Sequence, residues 1–285
     1  MSAPPLSWAS PFAPHIRAIL GPSRYRKLRM MLDPAQRFDE VIIVWRAVGS
    51  WLAPSGVMLD VGAHHGESAE IFADLGWQVH CFEPNPANWP HIARRVTDRY
   101  SGTHLVRAAV GEVPAKNRTF FTSEESSGIS SLHSFHESHE AALSVDITTL
   151  RDYCAQHDLR KVDFLKVDTE GFDYFVLRGL DWSKLLPTIV VCEFEDRKTE
   201  SLGYSYHDMA AYLAGLGYRV IVSEWDPVLR YGVQHTWRRY ADYPANLLRS
   251  DAWGNLIAIK ERAAEESVLR ELSKLWKGKL GPPRL

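Results

Sequence analysis

The stretch Val57-Met-Leu-Asp-Val-Gly-Ala-His-His-Gly-Glu-Ser68 decides the fold of this chain. Its first five residues form an apolar run that contains one acid, Asp60, and this pattern predicts a buried parallel strand. A turn bounded by Gly62 and Gly66 follows, and apolar residues at helical spacing then predict a helix over residues 67–75. A strand that turns through glycine into a helix leaves backbone N–H groups at its mouth. This arrangement predicts a site for the polar end of a nucleotide-like ligand.

The spacing within this turn indicates which ligand it takes. A dinucleotide fingerprint needs G-x-G-x-x-G, but the position two residues after Gly62 is His64. The observed G-x-x-x-G spacing argues against NAD or FAD and favours a ligand with an adenosine end and no phosphates, such as S-adenosylmethionine. The next predicted strand, residues 78–83, ends in Glu83 about 20 residues past the turn, where an acid binds a ribose diol. The alternative interpretation is an ordinary tight turn between a strand and a helix.

Composition predicts one large globular domain with appendages. The chain has 285 residues, of which 45% are hydrophobic. We expect an extension and helix over residues 1–52, the main domain over 53–260, and a charged helix and tail over 261–285. The net charge of −2 provides no global field that would attract nucleic acid. The absence of an apolar segment of transmembrane or signal-peptide type predicts a cytoplasmic protein.

Smaller features of the composition have simple interpretations. A basic cluster within residues 17–29 is interpreted as a solvated face, with contact to a partner or an anionic membrane as the alternative. Cys81, Cys154 and Cys192 are far apart in sequence, and we expect them to be buried, reduced thiols. The oligomeric state stays open and includes a homo-oligomer.

Strands and helices alternate along the main domain, which predicts a parallel sheet with helices on both faces. Between residues 123 and 139 the periodicity disappears, and a long loop in a compact domain is usually functional or mobile. A second long insertion, residues 225–252, separates the last two strands, which we expect to form an antiparallel hairpin at one edge of the sheet. The seven predicted strands cover residues 57–61, 78–83, 104–110, 163–168, 188–194, 218–223 and 254–259.

Several motifs in residues 55–200 resemble those of the FkbM family of S-adenosylmethionine-dependent methyltransferases. They are Leu59-Asp-Val-Gly-Ala-His-His-Gly66, Phe82-Glu-Pro-Asn-Pro86, Ser126-Ser-Gly-Ile-Ser-Ser-Leu132, Asp146-Ile-Thr-Thr-Leu150, Val162-Asp-Phe-Leu-Lys-Val-Asp-Thr-Glu-Gly171 and Leu177-Arg-Gly179. The K-x-D-x-E-G element is the most specific of them. Two positions depart from the family pattern: Arg151 replaces an acid, and the glycine turn carries two histidines. Members of this family methylate mainly hydroxyl groups on glycans, glycolipids and polyketides.

The resemblance implies a class I methyltransferase (Rossmann-like) α/β fold, with a seven-stranded, mostly parallel sheet and helices on both faces. In this fold the carboxyl ends of the central strands converge on the ligand cleft. The predicted cofactor site therefore comprises residues at the ends of the first three strands: Asp60, Gly62, Ala63, His64, Gly66, Glu83, Pro84 and Ala109.

Methyl transfer to a hydroxyl group needs a base or a metal, because a sugar hydroxyl is a poor nucleophile. Asp168, at the end of the fourth strand, is the leading candidate for the base, with Glu170, Glu193 and His65 as further catalytic candidates. The alternatives are a structural Lys166–Asp168 ion pair and, for Glu170, a helix cap.

Two sets of residues are candidates for a metal site. Asp168, Glu170 and Glu193 could hold Mg²⁺ or Mn²⁺, since hard cations prefer carboxylate oxygens. A second, weaker candidate set consists of three histidines at a spacing of three residues, His133, His136 and His139, for which a solvated loop is the alternative.

The insertion over residues 225–252 is rich in aromatic and basic side chains. Aromatic faces stack on sugar CH surfaces and arginines bind phosphate or carboxylate, so the composition predicts a lid that binds the acceptor. The predicted acceptor contacts are Trp225, Tyr231, His235, Trp237 and Arg238. We therefore expect an O-methyltransferase acting on a glycan or glycolipid. The alternatives are a methyltransferase of a polyketide or other small metabolite, and a cofactor-binding module without activity.

Overall fold

The computed structural model of the chain describes residues 38–48, 55–124, 127–228 and 235–282. The strands are β1 Val57–Val61, β2 Gln78–Phe82, β3 Thr103–Val106, β4 Ala109–Val110, β5 Ala115–Ser123, β6 His139–Thr148, β7 Phe164–Val167, β8 Ile189–Glu195, β9 Arg219–Trp225, β10 Trp237–Asp242 and β11 Trp253–Ile259. The α-helices are α1 Glu40–Val48, α2 Glu67–Ala73, α3 Trp89–Ile92, α4 Leu150–Gln156, α5 Asp173–Arg178, α6 Asp196–Thr199, α7 Tyr206–Gly215 and α8 Arg262–Leu275.

Eight strands form the main sheet, in the order β10-β9-β11-β8-β7-β1-β2-β3. The central pairs β1–β2, β1–β7 and β7–β8 are parallel, whereas β11 pairs antiparallel with both β8 and β9. The predicted fold class is confirmed, but the predicted count of seven strands is wrong. The additional strand is β10, which pairs antiparallel with β9 and forms the edge of the sheet.

The position of β10 corrects the prediction for residues 225–252. We expected an irregular insertion, yet residues 237–242 are a strand of the main sheet. The last two predicted strands, β9 and β11, do pair antiparallel, but they do not form the edge. The sequence Trp-Arg-Arg-Tyr-Ala-Asp conceals this strand because only Tyr240 within it is fully buried, so it lacks the apolar alternation of a half-buried strand.

A second, three-stranded sheet has the order β4-β6-β5. It contains the end of the predicted third strand, which is divided into β3 and β4 and contributes to both sheets. Strand β6 was not predicted, because most of its residues are exposed or half-buried and its pattern is weak.

Hydrophobic cores lie on both faces of the main sheet. One core contains apolar side chains of α1, α2 and α8 together with Met58, Val79 and Phe164. The other contains side chains of α4, α5 and α7 together with Leu59, Leu165 and Val190. Successive residues of β1 and β7 thus point to opposite cores, as expected for strands buried on both faces.

Further predictions concern the cysteines, the basic cluster near the start of the sequence and membrane-spanning segments. All three cysteines are free and buried, which confirms the expectation for them. The basic cluster of residues 17–29 and the predicted acceptor contact Tyr231 lie outside the described residues. Among the described helices, none combines the length and the apolar character needed to cross a membrane.

Candidate active site

A cleft with an enclosed volume of about 190 Å³ opens at the carboxyl ends of β1, β2 and β7. The cleft brings together many of the predicted site residues. Its lining residues are Val61, Gly62, His64, Phe82, Glu83, Pro84, Asn88, Ala108, Ala109, Val110, Phe120, Gly128, Ser130, Leu132, Asp168, Thr169, Glu170 and Phe172.

Five of the predicted cofactor-binding and catalytic residues do not line the cleft. They are Asp60, Ala63, His65, Gly66 and Glu193. Conversely, the sequence did not single out Asn88, Phe120 or Phe172 as site residues, although each lines the cleft. Nothing in the spacing of Phe120 and Phe172 connects them with the glycine turn.

The glycine turn is held by the chain itself. The N–H groups of Gly62 and Ala63 both donate to the carbonyl oxygen of Phe82, at 3.1 and 3.0 Å, and the N–H of Gly66 donates to Ala63 at 2.7 Å. The N–H of His64 donates to the carboxylate of Glu83 at 2.8 Å. These four N–H groups therefore already have an acceptor within the protein.

Gly62 is required by a close approach within the protein. A Cβ atom at this position would lie 1.8 Å from the carbonyl oxygen of Asp168, and the φ angle of +77° is in the left-handed region. We predicted that Gly62 lets the backbone approach the ligand. The structure packs the turn after β1 directly against the end of β7. Gly62 also lines the cleft, so its contact with the ligand stays a prediction.

Glu83 is buried at the end of β2, and its carboxylate lines the cleft. Its Oε2 accepts from the N–H of His64 at 2.8 Å, and its Oε1 accepts from the N–H of Asn85 at 2.9 Å. Burial raises the pKa of Glu83 to about 7, despite these hydrogen bonds. The carboxylate also accepts from the side chain of Asn88. A carboxylate has about four lone-pair directions, so it retains the capacity to accept one ribose hydroxyl.

The surroundings of Glu83 fit the adenosine end of S-adenosylmethionine. Phe82, Ala109 and Val110 provide apolar surface beside the carboxylate, as an adenine ring requires. No lysine or arginine is among the lining residues within the described part of the chain, so a pyrophosphate would find no cation there. These residues would hold the adenosine, with Glu83 accepting from its ribose.

His64 and His65 stack on each other with ring centroids 3.8 Å apart, and His65 also stacks on His91 at 4.3 Å. Burial lowers the pKa of both His64 and His65, which favours the neutral imidazole. Of the two, His64 lines the cleft and His65 does not. The geometry therefore makes His64 the better placed of the two for contact with a bound ligand.

Lys166 is nearly buried beneath the glycine turn. Its ammonium group lies 3.3 Å from Asp60 and 3.3 Å from Asp168, and it donates to the carbonyl oxygen of Gly62 at 3.2 Å. Burial alone would lower the pKa of Lys166, but the carboxylates of Asp168 and Asp60 outweigh it and raise the pKa above its usual value. The ion pair that we considered for Lys166 and Asp168 is thus present. Asp168 nevertheless has 42% of its side chain exposed and lines the cleft.

Lys198 lies at the centre of the remaining acids. Its ammonium group is 2.6 Å from Glu170, 3.3 Å from Glu193 and 3.0 Å from Glu195. Burial raises the pKa of Glu170 to about 7 and raises that of Glu193 well above its usual value. Sequence reasoning missed Lys198, because it occurs in a short polar run, Asp-Arg-Lys-Thr, that is typical of an exposed turn.

One predicted metal site contains a lysine in addition to its carboxylates. In the other, each of the three histidines contacts a different group. Oxygens of Asp168, Glu170 and Glu193 do lie within 4.8 Å of one another, but the ammonium group of Lys198 is already in contact with two of them. The three loop histidines contact different groups. His133 contacts Ser201, His136 contacts Ser138, and His139 contacts the carbonyl oxygen of Ile129.

The segment of residues 127–132 covers one side of the cleft. Gly128, Ser130 and Leu132 line it, and the hydroxyl of Ser131 donates to the carbonyl oxygen of Glu170 at 2.9 Å. The long loop predicted over residues 123–139 thus includes a wall of the cleft.

The predicted lid residues have partners elsewhere in the protein. Trp225 donates to Glu40 at 2.8 Å, and Trp237 stacks on Phe38 with centroids 4.1 Å apart. His235 packs edge-on against Trp253, and Arg238 forms an ion pair with Asp226. None of these four predicted contacts is among the lining residues of the cleft. Their role in binding an acceptor remains a prediction.

Comparison with known proteins identifies the family. A model of the methyltransferase FkbM domain matches residues 60–220. A search of curated proteins found no match to the chain.

Solved methyltransferase structures are similar to this chain at low identity. A precorrin-6Y C5,15-methyltransferase from Geobacter metallireducens is 13% identical, with 77% of this chain and 88% of that chain covered and a TM-score of 0.40. An rRNA methylase from Streptococcus thermophilus is 8% identical, with 78% and 94% covered and a TM-score of 0.40. A 1,6-didemethyltoxoflavin N1-methyltransferase from Burkholderia thailandensis is 13% identical, with 92% and 94% covered and a TM-score of 0.36. Since the family model covers more than half of its 285 residues, this chain belongs to the FkbM family of S-adenosylmethionine-dependent methyltransferases.

Proposed function

We propose that this protein transfers a methyl group to a hydroxyl group of a neutral sugar, in a glycan or glycolipid. The observation that carries the proposal is the position of Asp168. Its partly exposed carboxylate lines the same cleft as Glu83, at the end of the strand next to β1. A carboxylate between a cofactor site and open cleft is placed to receive the proton of an acceptor hydroxyl.

S-adenosylmethionine supplies a methyl group that is activated by a sulfonium. The protein's own residues bind the cofactor, align the acceptor and remove the proton of its hydroxyl group. Glu83 holds the ribose, and the wall of the cleft aligns the acceptor oxygen with the methyl carbon. The new O–C bond forms as the S–C bond breaks, the sulfur keeps the electron pair, and Asp168 takes the hydroxyl proton. Lys166, 3.3 Å away, stabilises the Asp168 carboxylate before transfer.

The charges in the cleft support a neutral acceptor. Within the described part of the chain, the charged lining residues are the acids Glu83, Asp168 and Glu170. None of these described lining residues is a lysine or arginine that would neutralise a phosphate or a uronic acid near the reacting hydroxyl. Arg238 and Arg239 form ion pairs with Asp226 and Glu224.

The aromatic lining of the cleft supports a sugar. Phe120 and Phe172 line it, and aromatic faces stack on the CH surfaces of sugars. A polyketide or another small hydroxylated metabolite is the second candidate, favoured by the apolar side chain of Leu132 in the same wall.

The test is release of S-adenosylhomocysteine in the presence of matched acceptors. Neutral methyl glycosides should support turnover, whereas the corresponding uronic acids should not. Turnover restricted to apolar alcohols would favour the second candidate. Cofactor binding without turnover on any acceptor would favour a binding module.

Asp168→Asn tests the base. The variant should fold and bind S-adenosylhomocysteine, whereas turnover should fall by roughly 10²–10⁴, the range for a lost general base. Asp158→Asn is the matched control, since Asp158 is an exposed carboxylate paired with Arg160 at the surface. Turnover near the wild-type rate in Asp168→Asn would remove this residue from the mechanism and direct attention to His64.

A further inference from the structure

Three carboxylates share the ammonium group of Lys198. Glu170, Glu193 and Glu195 lie 2.6, 3.3 and 3.0 Å from it, and only 4% of the Lys198 side chain is exposed. The ammonium group donates hydrogen bonds to Glu170 and Glu193, and Glu195 lies at ion-pair distance from it. Because the lysine is almost fully buried, this contact is not a chance surface pair.

The cluster depends on Lys198 for its charge balance. Glu195 also forms an ion pair with Arg197 at 2.8 Å. Among the ion pairs of the described residues, Lys198 is the partner of both Glu170 and Glu193. Buried carboxylates need a cation nearby, because desolvation strongly disfavours their charged form. Lys198 is thus the cation around which this acidic end of the cleft is built.

The ammonium group also fills the position that a divalent ion would need. Oxygens of Asp168, Glu170 and Glu193 lie within 4.8 Å of one another, and Mg²⁺ or Ca²⁺ would bind such oxygens at roughly 2.0–2.6 Å. An ion at that distance from Glu170 and Glu193 would meet the Lys198 nitrogen and its positive charge. The lysine and the ion therefore exclude each other.

The backbone is shaped around the same lysine. Glu170 has a φ of +56° and Gly171 a φ of +94°, both in the left-handed region. A Cβ atom on Gly171 would lie 3.1 Å from the Cβ of Lys198, closer than ordinary van der Waals contact. This turn aims the Glu170 side chain at Lys198, and its carbonyl oxygen accepts from Ser131 in the wall of the cleft.

We propose that Lys198 is the resident cation of this acidic cluster, that it stands in the place of a divalent ion, and that it positions Glu170 and the cleft wall attached to it. The inference rests on the proposed function only in assigning the cluster to the acceptor side of the cleft. The consequence for the reaction is that the carboxylates are held in place by a covalently attached cation. Lys198 is a positioning residue, since it acts through Glu170.

The test is direct measurement of Mn²⁺ binding by electron paramagnetic resonance, with neither cofactor nor acceptor present. Wild-type protein should show no Mn²⁺ site that depends on Glu193. Lys198→Ala removes the ammonium group and should create one site per chain, with affinity at least tenfold above wild type. Adding Glu193→Gln to Lys198→Ala should abolish that gain. Lys274→Ala, at an exposed Lys–Glu pair on α8, is the control and should behave as wild type.

A second readout tests the positioning role. Lys198→Ala should lower kcat at least tenfold with any acceptor that the wild type turns over, and Mn²⁺ should restore at least part of this loss. A merely structural lysine would not give a rescue that depends on Glu193. If no acceptor is found, the proposed function fails while the Mn²⁺ measurement still decides the role of Lys198.

Three results would overturn the proposal. The first is a Glu193-dependent Mn²⁺ site in the wild-type protein. The second is a folded Lys198→Ala protein that binds no more Mn²⁺ than wild type. The third is a Lys198→Ala protein that does not fold and that Mn²⁺ does not refold, because the ion must be able to replace the ammonium group. Recovery of folded circular dichroism upon addition of Mn²⁺ would instead support it.

Discussion

The buried carboxylate of Glu83 predicts that cofactor affinity depends on pH. In the free protein the pKa of Glu83 is raised to about 7 by burial. Ribose hydroxyls that donate to the ionised carboxylate favour that form and lower its pKa when the ligand binds. Binding should therefore be coupled to loss of a proton from Glu83, and affinity should increase as the pH rises through 7.

The magnitude follows from the fraction of ionised carboxylate. With a pKa of about 7, roughly one tenth of Glu83 is ionised at pH 6 and about nine tenths at pH 8. If the ionised form alone accepts the ribose hydroxyls, the affinity rises by up to about tenfold over this interval, or about 1.4 kcal/mol. Glu83→Gln removes the charge and should weaken binding at pH 8 by about 1.5–3 kcal/mol, the range for a hydrogen bond to a charged group.

Isothermal calorimetry with S-adenosylhomocysteine at pH 6, 7 and 8 measures both effects. Other groups in the cleft titrate in this range, since the pKa of Glu170 is also about 7. Glu83→Gln retains those groups, so the difference between wild type and variant isolates the contribution of Glu83. Circular dichroism must show that the variant is folded, because Glu83 also accepts from the N–H groups of His64 and Asn85.

Two outcomes would refute this reasoning. One is an affinity that does not change between pH 6 and pH 8 in the wild type. The other is a folded Glu83→Gln variant with the same affinity and the same pH dependence as wild type. Either result would mean that the ribose hydroxyls do not donate to this carboxylate, and the adenosine would then need another anchor in the cleft.

Two further predictions concern stability. Gly62→Ala should lower the free energy of unfolding by about 3 kcal/mol or more in chemical denaturation, because the new methyl group meets the Asp168 carbonyl oxygen at 1.8 Å. Gly203→Ala, with a similar φ of +82° and nothing within 4 Å of its added Cβ, is the control and should cost only about 1 kcal/mol. An equal loss in both variants would show that the φ angle and not the close contact requires glycine. Trp237→Ala should lower the melting temperature, because the loss of packing against Phe38 costs about 2 kcal/mol. Cofactor affinity and the acceptor KM should stay unchanged. A selective rise in the acceptor KM would instead support the lid hypothesis.

The parts of the site that could be predicted are those with a local cause. The apolar run, the glycine turn and Glu83 are close in sequence, and the K-x-D-x-E-G element places Asp168 and Glu170 directly after a buried strand. Parallel strands bring their carboxyl ends to one edge of the sheet, so the convergence of these residues follows from the alternation alone. The glycine turn shows the limit of this reasoning, since its N–H groups proved to be satisfied by Phe82 and Glu83.

The parts that could not be predicted depend on contacts between distant segments. Lys198 is buried among Glu170, in the turn after β7, and Glu193 of β8, and a lysine in a polar run carries no sign of that environment. Strand β10 forms an edge of the sheet although it contains several polar residues, and the sequence around it suggested a loop. The wall formed by residues 127–132 has no periodicity that would reveal it. Contacts with other segments hold it: Ser131 pairs through its backbone with Phe121 and donates to Glu170, about 40 residues away.

The hydrogen bond from Ser131 to Glu170 joins parts of the protein that are distant in sequence. It connects the segment that covers the cleft to the turn that carries the acidic side chains. Through its backbone, Ser131 also pairs with Phe121 of β5, in hydrogen bonds of 2.8 and 3.0 Å. Ser131 is thus a junction at which the smaller sheet, the wall of the cleft and the acidic turn meet.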